Sequence, residues 1–253
     1  MGNIQFAKSE GVARITLARP KHNWLNIELM KELNGHLEAL LGDQDLKCVV
    51  LLGEGPSWSA GVDVDEHAPD KVHGMIATFN RIFELIDQIE VPVIAAVHGR
   101  ALGGGMEVAI ACDVVVAARS AVFGQPEIKL GFLPPYAAIR LPWLVGPARA
   151  VEICTTGMTY TAEQAREMGF VSRVVDDDAF AAAVEQIVAE ISQASPLVIR
   201  LNKRAVKVHL GLGSGQALAG VTDLFLGTLM KTEDTLEGIA SFRERRKPVW
   251  KNR

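Results

Sequence analysis

The sequence predicts an α/β protein. Continuous apolar runs of strand length at residues 48–52, 91–97 and 114–117 read as strands covered on both faces. Amphipathic helical patterns and Gly-bearing loops alternate with them. In chain order, residues 4–7 and 12–17 form two strands around the turn Ser9-Glu10-Gly11, and residues 19–23 form a polar, Pro-bearing loop. Leu29, Leu33, Leu37, Leu40 and Leu41 recur at helical spacing, which predicts a helix over 27–41 ended near Gly42. The 48–52 strand is followed by a loop at 53–61, a helix over 76–89 and the 91–97 strand. A Gly-rich turn at 98–105 then opens a helix over 104–111, ahead of the 114–117 strand.

Beyond Pro142 the pattern turns helical, with segments at 147–155, 161–168, 180–193, 196–208 and 216–230 and one short strand near 171–175. Thr161 and Gln164 form a capping box at the second of these helices. The expected division is a core over 1–195 and a helical region over 196–253 whose apolar faces need a partner. Residues 243–253 are the one strong charge run, and it is basic.

Hydrophobic residues make up 49% of the 253 and the net charge is only −4, which excludes disorder as the main state. The acidic excess argues against a dedicated nucleic-acid-binding domain. Three Cys in so long a chain cannot build a disulfide framework and suggest a reducing compartment. The N-terminal residues lack the cationic-then-apolar pattern of a signal peptide, and no apolar run approaches the roughly 18–20 residues that cross a bilayer. The expectation is a cytoplasmic protein with no membrane or nucleic-acid partner.

Two loops and two carboxylates carry the chemical signal. Ser59-Ala60-Gly61-Val62-Asp63 and Leu102-Gly103-Gly104-Gly105-Met106-Glu107 both follow buried strands, and the second opens a helix. N–H groups at a helix start have no internal partner, and glycine lets a ligand approach them. Two such loops can aim two N–H groups at one oxygen, forming an oxyanion hole. Tight helix–strand packing explains the glycines equally well. Glu107 lies in an otherwise apolar helix, where the helix dipole alone favours it, and Glu127 follows the short loop Phe123-Gly124-Gln125-Pro126.

Asp63 and Asp113 read as caps. Ser57 or Ser59 with His98 as base would make a Ser hydrolase, but neither sits in a nucleophile elbow. His67 and His73 lie in a polar segment that can reach a site by loop closure. No Cys or His has metal-ligand spacing, so no metal or cofactor is expected.

The segments 59–63, 103–107, Cys112-Asp113 and 123–131 (Phe-Gly-Gln-Pro-Glu-Ile-Lys-Leu-Gly) occur in this order. Together they resemble the crotonase family, the enoyl-CoA hydratases and isomerases. The resemblance implies a spiral of β-β-α units with a helical C-terminal region that packs in trimers or a dimer of trimers. It implies an acyl-CoA substrate whose thioester carbonyl meets the N–H groups of Val62 and Gly104. Glu107 and Glu127 match the family's two catalytic glutamates, a pairing that favours hydration, with Glu107 activating water and Glu127 delivering a proton. Along the substrate the resemblance places Ala60, Asp63, Phe132, Pro135 and Tyr136. Arg19 and Lys21 become candidates for the CoA phosphates, and Phe242 and Lys247 would come from a neighbouring subunit.

The segments 61–70 and 131–139 depart from the usual hydratase pattern. They are similar to the branch of the family that hydrates cyclohexa-1,5-diene-1-carbonyl-CoA in anaerobic aromatic degradation. Pro, Tyr and Ala in place of a Gly-rich loop make a stiffer, more apolar wall that suits a flat ring. The alternatives are an acyl-CoA isomerase, hydrolase or decarboxylase of the same family, or an RNA-binding homologue using the basic tail.

Overall fold

The computed structural model describes residues 2–253. The chain runs β1 (Ile4–Ser9), β2 (Val12–Leu17), α1 (Ile27–Glu38), β3 (Cys48–Gly53), α2 (Val72–Gln88), β4 (Val93–Val97), β5 (Arg100–Leu102), α3 (Gly104–Ala111), β6 (Val114–Ala118) and β7 (Val122–Gly124). It continues through α4 (Pro135–Val145), α5 (Pro147–Thr156), β8 (Thr159–Thr161), α6 (Ala162–Met168), β9 (Arg173–Val175), α7 (Phe180–Ser192), α8 (Pro196–Lys207), α9 (Ser214–Gly227) and α10 (Glu233–Glu244). Short 3-10 turns lie at Val64–His67, Pro126–Leu130 and Leu229–Lys231.

The six-stranded sheet has the order β1-β2-β3-β4-β6-β9, and a three-stranded sheet has the order β5-β7-β8. Within the large sheet only β1 and β2 are antiparallel; Val50 pairs with Ile94, and Ile94 with Val114. The three apolar runs are therefore β3, β4 and β6, buried on both faces by helices. The Asn26 side chain caps α1 by accepting from the Leu29 N–H at 3.0 Å. The Thr161–Gln164 capping box forms in both directions, at 2.9 and 3.2 Å.

A repeat underlies this order. β4 joins the large sheet, β5 joins the small one, and α3 follows; β6, β7 and the turn leading to α4 do the same. After β3 the second strand shrinks to a single bridge, Ser59 to Ala101, before α2. Val62, Gly104 and Glu127 each follow the small-layer segment of its own turn, so one structural position, used three times, brings them together.

Four sequence expectations change. The 98–105 turn contains β5, and the loop ahead of Glu127 contains β7; three-residue strands are too short to show a period of two. The second helix begins at Val72, four residues earlier than expected. The segment 131–139 reads as a stiff loop, but from Pro135 onward it belongs to α4, with Pro135 in the first turn. The acidic start of α10 pairs with the basic tail: Lys251 and Arg253 reach Glu233 at 3.3 and 3.1 Å, and Arg246 engages Glu237 and Glu244. Buried Asp234 accepts from the Ser195 hydroxyl and from the N–H groups of Lys251 (2.7 Å) and Asn252 (2.9 Å), which straps the C-terminus down.

Candidate active site

A cavity of about 620 Å³ opens where the β3, β5 and β7 turns converge. Ala60, Val62, Gly104, Glu107, Glu127, Phe132 and Pro135 all line it. Among the described residues, neither the Val62 N–H nor the Gly104 N–H has an acceptor in the chain, although their neighbours are engaged: Leu25 donates to the Gly61 carbonyl at 2.8 Å and Asp63 donates to Leu25 at 3.1 Å. The Gly104 N–H opens α3. The two loops touch. A Cβ at Gly104 would lie 2.7 Å from Val62 Cγ2 and 3.1 Å from Phe79 Cζ. Gly103 has φ +52°, and a Cβ there would lie 2.6 Å from Glu127 Oε1, so glycine is required on both counts.

Glu107 is 1% exposed in a helix whose every other residue is also buried. Its Oε1 accepts from the N–H groups of Tyr136 (2.7 Å) and Ala137 (2.8 Å), the first turn of α4. A second helix thus aims its N-terminus at a carboxylate carried by the first. Among the described residues Oε2 has no donor, and it remains for a solvent molecule or ligand. Burial pushes this carboxyl up to about 8; the Ala137 N–H opposes the shift, the charge of Glu127 adds to it, and the Tyr136 N–H again opposes it. Glu127 is pushed up to about 7, chiefly by burial. Exchanging the amide oxygen and nitrogen of buried Gln125, which its hydrogen-bond partners favour, lets the nitrogen donate to both Glu127 oxygens at 3.1 and 3.0 Å. Two such carboxyls in one cavity titrate as a pair, and near neutral pH the pair holds a proton.

Other expected residues lie elsewhere. The Arg19 guanidinium bonds the Trp24 carbonyl (3.0 Å) and Asp63 (3.2 Å), and Asp63 caps the Val64–His67 turn, so both brace the Val62 loop from outside the cavity. Lys21 is exposed and does not line the cavity. The Tyr136 ring is not in the wall: it stacks on Phe83 at 3.8 Å, and its contribution to the site is its backbone N–H. Phe242 is 86% exposed and Lys247 is also exposed, both outside the cavity of their own chain. Asp113 takes no part here; it pairs with Lys203 (2.6 Å) and Lys207 (3.0 Å).

The Ser hydrolase arrangement does not form. His98 Nε2 lies 2.8 Å from the Gly55 carbonyl, and fully buried Ser57 meets His22 instead, at 2.9 Å. Ser59 donates to the Asn23 carbonyl at 2.8 Å. Sequence reasoning missed His22, Trp24 and Arg100, which line the cavity, and the apolar wall of Val72, Met75, Ile76 and Phe79 supplied by α2. The helical period of α2 marks those residues as buried but does not say that they face a cavity. Among the described residues no helix is long and apolar enough to cross a membrane.

The comparisons agree with this architecture. The family model described as enoyl-CoA hydratase/isomerase matches residues 7–253. Cyclohexa-1,5-dienecarbonyl-CoA hydratase from Thauera aromatica is 35% identical over 250 residues, covering 99% of this chain and 96% of the relative. Crotonyl-CoA hydratase from Syntrophomonas wolfei is also 35% identical, over 251 residues, covering 97% and 96%. A crystal structure of enoyl-CoA hydratase from Bacillus anthracis superposes with a TM-score of 0.94 at 32% identity, covering 99% of this chain and all of that one. On these grounds the chain belongs to the enoyl-CoA hydratase/isomerase family and has the crotonase fold, a spiral of strand–strand–helix turns.

Proposed function

We propose that the chain is a hydro-lyase that adds water to a conjugated cyclic dienoyl-CoA, cyclohexa-1,5-diene-1-carbonyl-CoA. The observation that carries the hydratase reading is the pair of raised carboxyls, Glu107 and Glu127, in one cavity with two unpaired N–H groups. The thioester carbonyl binds the Val62 and Gly104 N–H groups. Water lies against Glu107 Oε2. One carboxylate takes a proton from the water as its oxygen bonds to the conjugated carbon. The electron pair moves toward the thioester oxygen, where the two N–H groups stabilise the enolate. The other carboxyl delivers its proton to the α-carbon. The pair ends with as many protons as it began with, and the net change is addition of water.

In this reading Glu107 activates water and Glu127 delivers the proton. The α4 amides support an anionic Glu107 during the step, while its deeper burial draws the resting proton of the free site toward it. The ring substrate rests on the wall. Phe132, Leu133 and Pro135 stand where the usual hydratase pattern has a Gly-rich loop, and the remaining lining is mostly apolar. Sequence identity does not separate a ring from a straight chain, since the Thauera and Syntrophomonas relatives are equally similar. Turnover of the cyclic dienoyl-CoA and crotonyl-CoA, measured side by side, decides: the cyclic thioester should be the better substrate by kcat/KM. A strong preference for crotonyl-CoA would remove the ring assignment and leave the hydratase.

The same reading makes 196–253 the oligomerisation region of a trimer or a dimer of trimers. α9 buries none of its residues in its own chain, yet Leu218, Phe225 and Leu226 are more than half exposed. A helix of 14 residues with an uncovered apolar face is not stable alone. Sedimentation should show three or six chains, and Leu218→Glu with Phe225→Glu should reduce this to one. Monomers of the parent chain at micromolar concentration would refute it. In such an assembly Phe242 and Lys247 are free to reach a neighbouring site.

A further inference from the structure

The segments 61–70 and 131–139, which depart from the usual hydratase pattern, meet in space. The ring of His67 stacks on that of Phe132, with centroids 4.6 Å apart and planes 24° from parallel, and both residues line the cavity. Each ring is tied to the catalytic frame. His67 Nδ1 lies 3.2 Å from the Asp63 carbonyl and donates to it, one residue beyond Val62, while the Asp63 side chain is held by Arg19. The Phe132 N–H donates to the Glu127 carbonyl at 3.0 Å. The stack therefore bridges the arm that carries the Val62 N–H and the turn that carries Glu127.

Its position along the cavity follows from its neighbours. The chain passes from His67 through residues 68–71 into α2, whose Val72, Met75, Ile76 and Phe79 form the apolar wall, and from Phe132 into Leu133. The basic side chains His22 and Arg100 come from other segments, the 19–24 loop and β5. An acyl-CoA carries its charge on the nucleotide and its apolar surface on the acyl group. The apolar wall with the stack is then the acyl end.

We infer that His67 and Phe132 form an aromatic clasp that closes the acyl end of the cavity and limits the substrate to compact rings and short chains. This rests on the acyl-CoA reading above. A flat ring fits beneath a closed stack, whereas a long alkyl chain has to part it. Without either ring the barrier is gone, so the two single variants and the double variant should behave alike. His67→Phe keeps a stacking ring and should keep the limit.

The test compares binding of butyryl-CoA and decanoyl-CoA by calorimetry, which needs no turnover. His67→Ala, Phe132→Ala and the double variant should each raise the affinity for decanoyl-CoA relative to butyryl-CoA by about tenfold. His67→Phe should retain the parent ratio. An unchanged ratio in both Ala variants, or a His67→Phe ratio equal to that of His67→Ala, overturns the clasp while the acyl-CoA reading stands. Failure of the parent protein to bind either thioester overturns that reading, and the clasp with it.

Discussion

Glu107→Gln and Glu127→Gln are each expected to lower kcat for hydration by about 10²–10⁴-fold, and both should raise thermal stability in alkaline solution. The activity loss follows from the reaction, which needs one carboxylate and one carboxylic acid at the same time. The stability gain follows from the direction of the two shifts. Both carboxyls are raised above the ordinary value of 4.5, to about 8 and about 7, so over this window the folded chain binds more protons than the unfolded one. Stability contributed by these groups is therefore lost as pH rises from the unfolded value through the folded one. Gln is uncharged and keeps an oxygen for the Tyr136 and Ala137 N–H groups. The variants should melt about 2–5 °C above the parent near pH 8.5 and together with it near pH 5. A variant that loses activity and also loses stability at both pH values has merely been damaged.

The same pair shapes the rate profile. Above a pH of about 8 the shared proton leaves, the acid is lost, and kcat/KM should fall. At low pH both groups are protonated and the base is lost. The two roles separate by hydrogen exchange at the α-carbon of a saturated acyl-CoA, a step that needs the two N–H groups and the proton-delivering carboxyl but no attacking water. Glu127→Gln should abolish this exchange and Glu107→Gln should retain it. The reverse result reassigns the roles and leaves the pair intact.

What was legible in the sequence is what is local. Residues 48–52, 91–97 and 114–117 announce strands because all but one residue of each is buried. Thr161 and Gln164 announce a helix start because the box needs only four residues. The loops at 59–63 and 103–107 show glycines beside exposed N–H groups, which is enough to suspect an anion site. The rest is made of contacts between distant segments. β5 and β7 are three residues long and become strands only by pairing across the small sheet, β5 with β7 and β7 with β8. α4 is masked by Pro135 and Pro142, yet its first turn supplies both donors to Glu107. No spacing rule says that Glu127 lies against Gly103, that Arg19 binds Asp63 from behind the cavity, or that His67 meets Phe132. The charge run at 243–253 shows the opposite failure. It reads as a free basic face, and in the fold several of its cations are occupied by α10.

Gly104→Ala should lower kcat by at least about 10²–10³-fold, the cost of losing one oxyanion donor, with little effect on folding. The added Cβ would lie 2.7 Å from Val62 Cγ2 and 3.1 Å from Phe79 Cζ. Phe79 is fully buried and stacked edge-on against Phe83, so it does not yield easily; the Val62 loop, at the cavity edge, does. Because the Val62 N–H is the second donor in the proposed site, one methyl group would disturb both N–H groups at once. That argument makes a second prediction with the opposite sign. Val62→Ala removes Cγ2 and leaves the backbone N–H in place. Alone it should cost little; combined with Gly104→Ala it should recover much of the lost rate. A double-mutant cycle then shows a coupling between residues 62 and 104 that favours the pair. Additive losses would mean that the contact with Val62 Cγ2 is not what lowers the rate, and that the Gly104 methyl acts without moving the Val62 loop.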